Sequence, residues 1–391
     1  VIIGYNILNK IKGYKLDSSL KLDSLIREEK LVFLKTFQRN KFKTQVILSS
    51  NTKKDTVMDR LTHSYIVKNA GYIISETLNE TGIFVDYKYA LGNACLSHDL
   101  GMGPFGHTGS GEISKRFKKL GLKEGFDDNN NNFVILEKNG AYNFLTNYEL
   151  ASIIKYPEKL YDYQKPFLEK ILNYSIEDDV KYFEASGVKI DKKPKRTIVC
   201  EIMDEADRNS YISSDLIDCF ILEYSDHKKI EEFIDNHIYY NVEIRDILNS
   251  IHSSVKQNDK NLIRYSFGKL FKLFNTNYYL GDNIELLNKD TEILNFREDL
   301  FKLEKDIFID SKQSIEERTK HINILNQYID LILNGFTPSK TYKSMIENEK
   351  NEIQKLRYLR DMIGETSDFF VLNTIKKFKK ENKRKLKNSL L

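Results

Sequence analysis

A mainly helical protein is what this chain predicts, and three observations carry the expectation. Proline is scarce, at five in 391 residues. Long stretches rich in Leu, Ile, Lys, Asn and Glu favour helix over a Gly- and Pro-rich β fold. Apolar residues recur at helical spacing in segment after segment. The class expected is therefore all-α, with room for one short β-hairpin. A chain of this length can bury a large core. Its 30% charged and 40% apolar content is ordinary for a globular protein in water.

Taken in order, FLKTFQRNKFKTQVIL (33–48) reads as a short helix running into an extended segment. In TVMDRLTHSYIVKNAGYIISETL (56–78), Arg60, His63, Val67, Ala70 and Ile74 share one helical face. YKYALGNACLSHDLG (87–101) is a second helix, with Gly101 placed to stop it. GFDDNNNNF (125–133) is polar and short, with four consecutive Asn. Segments 142–156 and 158–173 look helical and are separated at Pro157, and 180–196 reads as a loop or hairpin. A long amphipathic helix is expected over 197–224. The pattern from 228 to 335 is helical with Asn and Asp breaks, and 343–378 supplies two helices divided near Gly364. No internal repeat and no Gly/Ser linker interrupts the chain, so 1–375 is expected to form one helical unit and 376–391 a basic tail.

Composition narrows the function classes. There is no apolar run of about 18 residues, so no membrane-spanning helix is expected. The start, VIIGYNILNKIKGYK, lacks a cleavage signature, so no signal peptide is expected. Three cysteines (Cys95, Cys200, Cys219) with no CxxC fit core thiols in a reducing, cytoplasmic setting. The net charge of +4 hides an asymmetry: KKFKKENKRKLK (376–387) carries eight Lys/Arg and one Glu, or +7, leaving −3 for the rest. Such a tail suits contact with nucleic acid, or is simply a solvated terminus.

The chemistry concentrates in one window. Three of the seven histidines, His63, His98 and His107, fall within residues 63–107. His63 lies on an apolar helical face, and His98 with Asp99 ends the next helix. A further ligand is wanted, and the helix at 197–224 offers a stripe of three carboxylates and a phenol: Asp207, Tyr211, Asp215 and Asp218. Buried carboxylates in such a stripe need a metal, a cation or a proton. A mixed nitrogen and oxygen donor set suits manganese, magnesium or iron(II), or a loosely held zinc, and is poor for soft ions because no thiolate takes part. Such an ion lowers the pKa of water near it, which supplies a nucleophile close to neutral pH.

Arg60-Leu-Thr-His63-Ser, His98-Asp99-Leu-Gly, Pro104-Phe105-Gly106-His107 and Asp207 on a late helix together resemble the HD superfamily. More narrowly they resemble the bacterial deoxyguanosine triphosphate triphosphohydrolases. Lys43-Thr44-Gln45-Val46 is similar to that family's KTQV, and Gly125-Phe126-Asp127-Asp128-Asn129 to its GFEGN. Lys155-Tyr156-Pro157 is similar to its KYP, and Asp361-Met-Ile-Gly-Glu-Thr-Ser-Asp368 to its DYIAGMTD. The motifs run in family order over roughly 36–375.

The resemblance implies an HD core at about 56–225, a helical C-terminal part at about 226–375, and a divalent metal held by His63, His98, Asp99 and Asp207. It implies hydrolysis of a dNTP, dGTP foremost, to deoxynucleoside and triphosphate. By the same resemblance Gln45 contacts the sugar 3′-hydroxyl, Tyr211 packs under the deoxyribose and Asp215 contacts the sugar. Lys155, Tyr156 and Arg208 face the substrate with Arg60, and His107 serves as catalytic acid or base. It also implies a homo-oligomer and a second nucleotide or single-stranded DNA as activator. Two positions depart from the pattern. Ser110 stands where a Glu usually pairs with the catalytic His, so Glu112 swings in as its catalytic partner or His107 works alone. Met102 stands where His or Asn is common. The competing expectations are an HD phosphohydrolase for another nucleotide, or a degenerate HD module that binds nucleotide or nucleic acid.

Overall fold

Seventeen α-helices and one small hairpin make up nearly all the regular structure among the described residues. The structure is a computed structural model, and it describes residues 18–45, 57–80, 88–221, 227–237, 241–257 and 259–389. The reading of the N-terminal 1–15 therefore lies outside the described residues. So do Val46 and the extended segment after it, residues 56, 87 and 222–225 at element edges, and 390–391 of the basic tail.

The first half runs α1 (Ser18–Val32), α2 (Lys35–Arg39), α3 (Arg60–Glu80), α4 (Lys88–Ser97), α5 (Gly106–Lys119), α6 (Asp128–Lys138), α7 (Asn147–Ala151), α8 (Lys165–Ala185) and α9 (Ile198–Ile221). After it come α10 (His227–His237), α11 (Val242–Gln257), α12 (Lys260–Asn275), strands β1 (Tyr278–Leu280) and β2 (Leu286–Asn288), and α13 (Thr291–Glu304). The chain ends with α14 (Lys312–Leu333), α15 (Lys340–Asn348), α16 (Glu352–Gly364) and α17 (Asp368–Ser389). The all-α expectation holds. Among the described residues no helix is long and apolar enough to cross a membrane. The three cysteines are buried free thiols.

Three apolar clusters form the interior. The first joins α3, α4, α8 and the first half of α9 through residues such as Val67, Ile74, Leu91, Phe183 and Met203. The second packs the later half of α9, from Ile212, against α11–α13. The third joins α5 to α14, α16 and α17 through Phe117, Tyr328 and Ile363. Helix α9 passes from the first cluster to the second between Ala206 and Ile212, so Asp207 and Tyr211 sit where those two cores meet. A buried polar tie crosses the same place: Arg297 of α13 donates to Glu205 at 2.6 Å, to Asn209 at 2.9 Å and to the Tyr278 hydroxyl at 2.8 Å.

Several Asn and Asp residues that interrupt the sequence pattern are helix caps. Asp259, Asp290, Ser311, Ser339 and Asn351 each accept a backbone N–H from the first turn that follows. Each such cap is worth about 1 kcal/mol. Of the two readings of 180–196, loop or hairpin, the loop is the one found over 186–196. Helix α8 continues through Ala185, and residues 186–196 form no strand. The hairpin lies instead at β1–β2, paired antiparallel with Tyr279 opposite Leu287. Its turn carries Asn283 and Ile284 at positive φ. The loop after α8 packs onto that turn, where Asn283 donates its N–H to the Lys189 carbonyl at 2.9 Å.

Candidate active site

The His63 and His98 rings meet because α3 and α4 pack side by side, with ring centroids 5.6 Å apart. Asp207 reaches them from α9. Its Oδ1 lies 3.0 Å from His63 Nε2 and 3.3 Å from His98 Nε2. Asp99 Oδ1 is 3.9 Å from His98 Nε2. Donor atoms of His63, His98 and Asp99 all fall within 4.8 Å of one another, as ligands of one ion must. These four side chains are those expected to hold a metal.

The donor chemistry fits such an ion. His98 Nδ1 sits 2.7 Å from the Cys95 carbonyl, which can only accept, so Nδ1 carries the proton. Nε2 is then the nitrogen that faces the other three groups, buried among them with no hydrogen-bond partner. This is how a ligating imidazole is oriented. Both carboxylates stay ionised. Burial would raise Asp207, but the Lys155 ammonium and the two imidazoles outweigh it and hold the carboxyl well below its usual range. Burial is likewise outweighed at Asp99, chiefly by Arg60, whose Nη1 is 2.5 Å from Asp99 Oδ2.

The turn after His98 is built by the Asn run. Asn132 accepts the Gly101 N–H at 2.6 Å and donates to the His98 carbonyl at 2.6 Å. Asn131 donates to the Gly101 carbonyl at 2.8 Å. What passes in sequence for a low-complexity stretch is the first turns of α6, stapled onto the His-Asp turn. Gly101 permits the approach, because a Cβ there would overlap the Asp128 carbonyl and the Asn132 nitrogen. Gly101→Ala is expected to destabilise the protein by about 3 kcal/mol, the upper range for overpacking. Urea denaturation measures this, and a loss under about 0.5 kcal/mol, the scale of a neutral surface change, would contradict the staple.

A second brace positions the loop that carries His107. Asp368 accepts the Phe105 N–H at 2.7 Å and the Thr44 N–H at 3.0 Å. Phe105 takes a left-handed φ of 63°. The buried Lys43 ammonium donates to the Met102 carbonyl. Burial is the main cause of its pKa falling to about 8, partly opposed by Asp368. Helix α5 then starts at Gly106 and presents His107 to solvent.

A cavity of about 980 Å³ opens there, of a size that takes a nucleotide. Gln45, Arg60, His107 and Asp215 are among its lining residues. Arg318 and Lys320 of α14 and Lys376 and Lys379 of α17 line it as well. Two of the "tail" lysines are therefore part of a cavity wall. Gln45 Oε1 and Arg60 Nε are buried and make no hydrogen bond. Burial, with Asp218 adding to it, raises Asp215 to about 7.

The remaining expected residues are placed as follows. Lys155 is buried, with Nζ 2.7 Å from Asp207 Oδ2 and 3.3 Å from Asp204 Oδ1. The exposed Tyr156 ring lies under the Lys159 ammonium at 4.4 Å. Arg208 is half-exposed and pairs with Glu205 at 3.4 Å. Tyr211 meets Phe301 edge-on at 6.0 Å. Glu112 does not swing to His107: it accepts from Asn326 at 3.0 Å and faces Lys115 at 3.7 Å. The carboxylate at His107 is Asp128, with Oδ2 3.2 Å from Nδ1. Sequence reasoning missed it because 21 residues separate the two.

No family model matches the chain. Curated proteins do. A protein from Wolinella succinogenes is 34% identical over 199 residues, which is 49% of this chain and 47% of that protein. The chain thus spans about half the length of that relative. Proteins from Rickettsia typhi and Rickettsia prowazekii are 24% and 25% identical, each over 88% of both chains. All three are named deoxyguanosinetriphosphate triphosphohydrolase-like protein.

Proposed function

We propose, from the chain's kinship with the deoxyguanosinetriphosphate triphosphohydrolase-like HD family, that it hydrolyses deoxynucleoside triphosphates, dGTP foremost, to deoxynucleoside and inorganic triphosphate. The observation that carries the reading is the convergence of two imidazole Nε2 atoms on one ionised carboxylate oxygen beside a nucleotide-sized cavity. His63, His98, Asp99 and Asp207 would hold a divalent ion, manganese or magnesium by donor type. When bound, it would supply positive charge against the phosphoryl oxygens and acidify nearby water.

The chain's own residues do the rest. Arg60 is held by Asp99 at one nitrogen and keeps its Nε free for a phosphate oxygen. His107 turns Nδ1 to Asp128, so Nε2 is the atom that takes or gives a proton toward the cavity. Gln45 offers a free amide oxygen to a sugar hydroxyl. By the family resemblance the Tyr211 ring, one turn past Asp207, would crowd a 2′-hydroxyl and so favour deoxyribose; its observed ring contact is with Phe301. The basic residues in the cavity lining, Arg318, Lys320, Lys376 and Lys379, favour anions.

The test is incubation of the purified protein with manganese or magnesium and each dNTP, followed by product separation. Deoxynucleoside plus tripolyphosphate is the expected result. Intact dNTPs throughout, with a second dNTP or single-stranded DNA present as activator, would refute the reading.

A further inference from the structure

We propose that Asp128 is the positioning residue for His107, supplying from α6 the carboxylate that position 110 on α5 lacks. This rests on the reading above. Ser110 lies one turn after His107 on the same face of α5, and it anchors the Asp128 carboxylate. Its hydroxyl donates to Asp128 Oδ1, which the Gly103 N–H also approaches at 3.3 Å. The other oxygen, Oδ2, is thereby turned to His107 Nδ1 at 3.2 Å. The carboxylate is thus held by two donors at one oxygen and aims the other at the ring.

The neighbouring carboxylates have other tasks. Asp127 caps α6 by accepting the Asn130 N–H at 2.9 Å. Glu112 is engaged by Asn326 and Lys115. Asp128 is also registered against the metal ligands, because Asn131 and Asn132, on its own helix, hold the His98–Gly101 backbone. One helix start therefore fixes both the His-Asp turn and the His107 partner. Arg60 and Asp99 face His107 too, and Asp215, His321, Arg318, Lys320, Lys376 and Lys379 share its cavity. Of these charged groups, Asp128 has the hydrogen bond to the ring, and that bond raises the imidazole above its ordinary value. The consequence is a fixed tautomer. Nδ1 keeps a proton toward Asp128, and Nε2 is presented to the cavity.

Nitrogen-15 NMR of the histidine rings in the full chain tests this, with the His107 signals identified among those of the seven histidines by their loss in His107→Gln. The wild-type His107 ring, when neutral, is expected as the Nδ1–H tautomer. In Asp128→Ala it is expected to revert to the Nε2–H form that free imidazole side chains prefer. For turnover, Asp128→Ala is expected to lower kcat roughly 10- to 100-fold with KM within about threefold. Adding Ser110→Glu to that variant returns a carboxylate one turn from His107 and is expected to raise kcat at least about fivefold above that of Asp128→Ala alone. A His107 tautomer unchanged by Asp128→Ala overturns the proposal whether or not any dNTP is hydrolysed. A wild type that hydrolyses no dNTP, with the tautomer shift intact, overturns the functional reading and leaves the pairing standing.

Discussion

Asp207→Asn is expected to weaken manganese binding at least 100-fold and to lower turnover at least 1000-fold, while the protein still folds. The size of the effect follows from how many interactions share this carboxylate. Its Oδ1 faces both imidazoles and its Oδ2 faces Lys155. An amide keeps the volume and one acceptor for Lys155 but loses the charge an ion requires. Losing even an outer partner of a metal ligand costs 10- to 100-fold, and a ligand costs more. Asp207→Ala adds a structural penalty. It leaves the buried Lys155 ammonium with only Asp204 at 3.3 Å, and breaking one side of a buried pair costs about 3–5 kcal/mol. The two variants separate the roles: both lose metal by calorimetry, and only Asp207→Ala loses several degrees in melting temperature. Full metal stoichiometry in Asp207→Asn would refute the ligand assignment.

The parts of this site legible in the sequence are those with a short period. The helix expected at 56–78 is α3, Arg60–Glu80, and that at 197–224 is α9, Ile198–Ile221. Each was readable because its buried face repeats with the helical turn. His63 and Asp207 were found for the same reason, as polar residues on otherwise apolar faces. What stayed hidden depends on distant backbone. Asn131 and Asn132 look like filler until the Gly101 and His98 peptide groups that they bind are in place. Asp128 and Glu112 are both plausible partners of His107 by composition. Glu112 lies nearer in sequence, and the packing of α6 on the His-Asp turn brings Asp128 instead. The hairpin at 278–288 was missed because each strand is three residues long and lies between helices. That is too short for an alternating pattern to stand out.

Position 368 shows how far from the chemistry the site is held. Asp368 opens α17, some 260 residues from the loop it braces, yet it accepts the Phe105 N–H at 2.7 Å. It also accepts the Thr44 N–H at 3.0 Å and the Thr44 hydroxyl at 3.2 Å. One carboxylate thus ties the segment carrying Gln45 to the turn that launches His107. Phe105 needs the tie, because a left-handed backbone costs a non-glycine residue roughly 1–2 kcal/mol. Its ring is fixed as well, stacked on His321 at 4.6 Å. Asp368→Ala leaves buried donors without an acceptor, at about 1–3 kcal/mol for each, and removes a counter-charge from the buried Lys43. The turn at Phe105 is then free to relax, and His107 moves with it. A displacement near 1 Å costs about 100-fold in rate, so kcat/KM is expected to fall by about that factor. Metal stoichiometry should be unchanged, since none of the four ligands touches Asp368. Asp368→Asn keeps one acceptor oxygen and should fall between the wild type and Asp368→Ala. Turnover of Asp368→Ala within about threefold of wild type, where the loss from displacement should be near 100-fold, would show that the loop holds its shape without this brace.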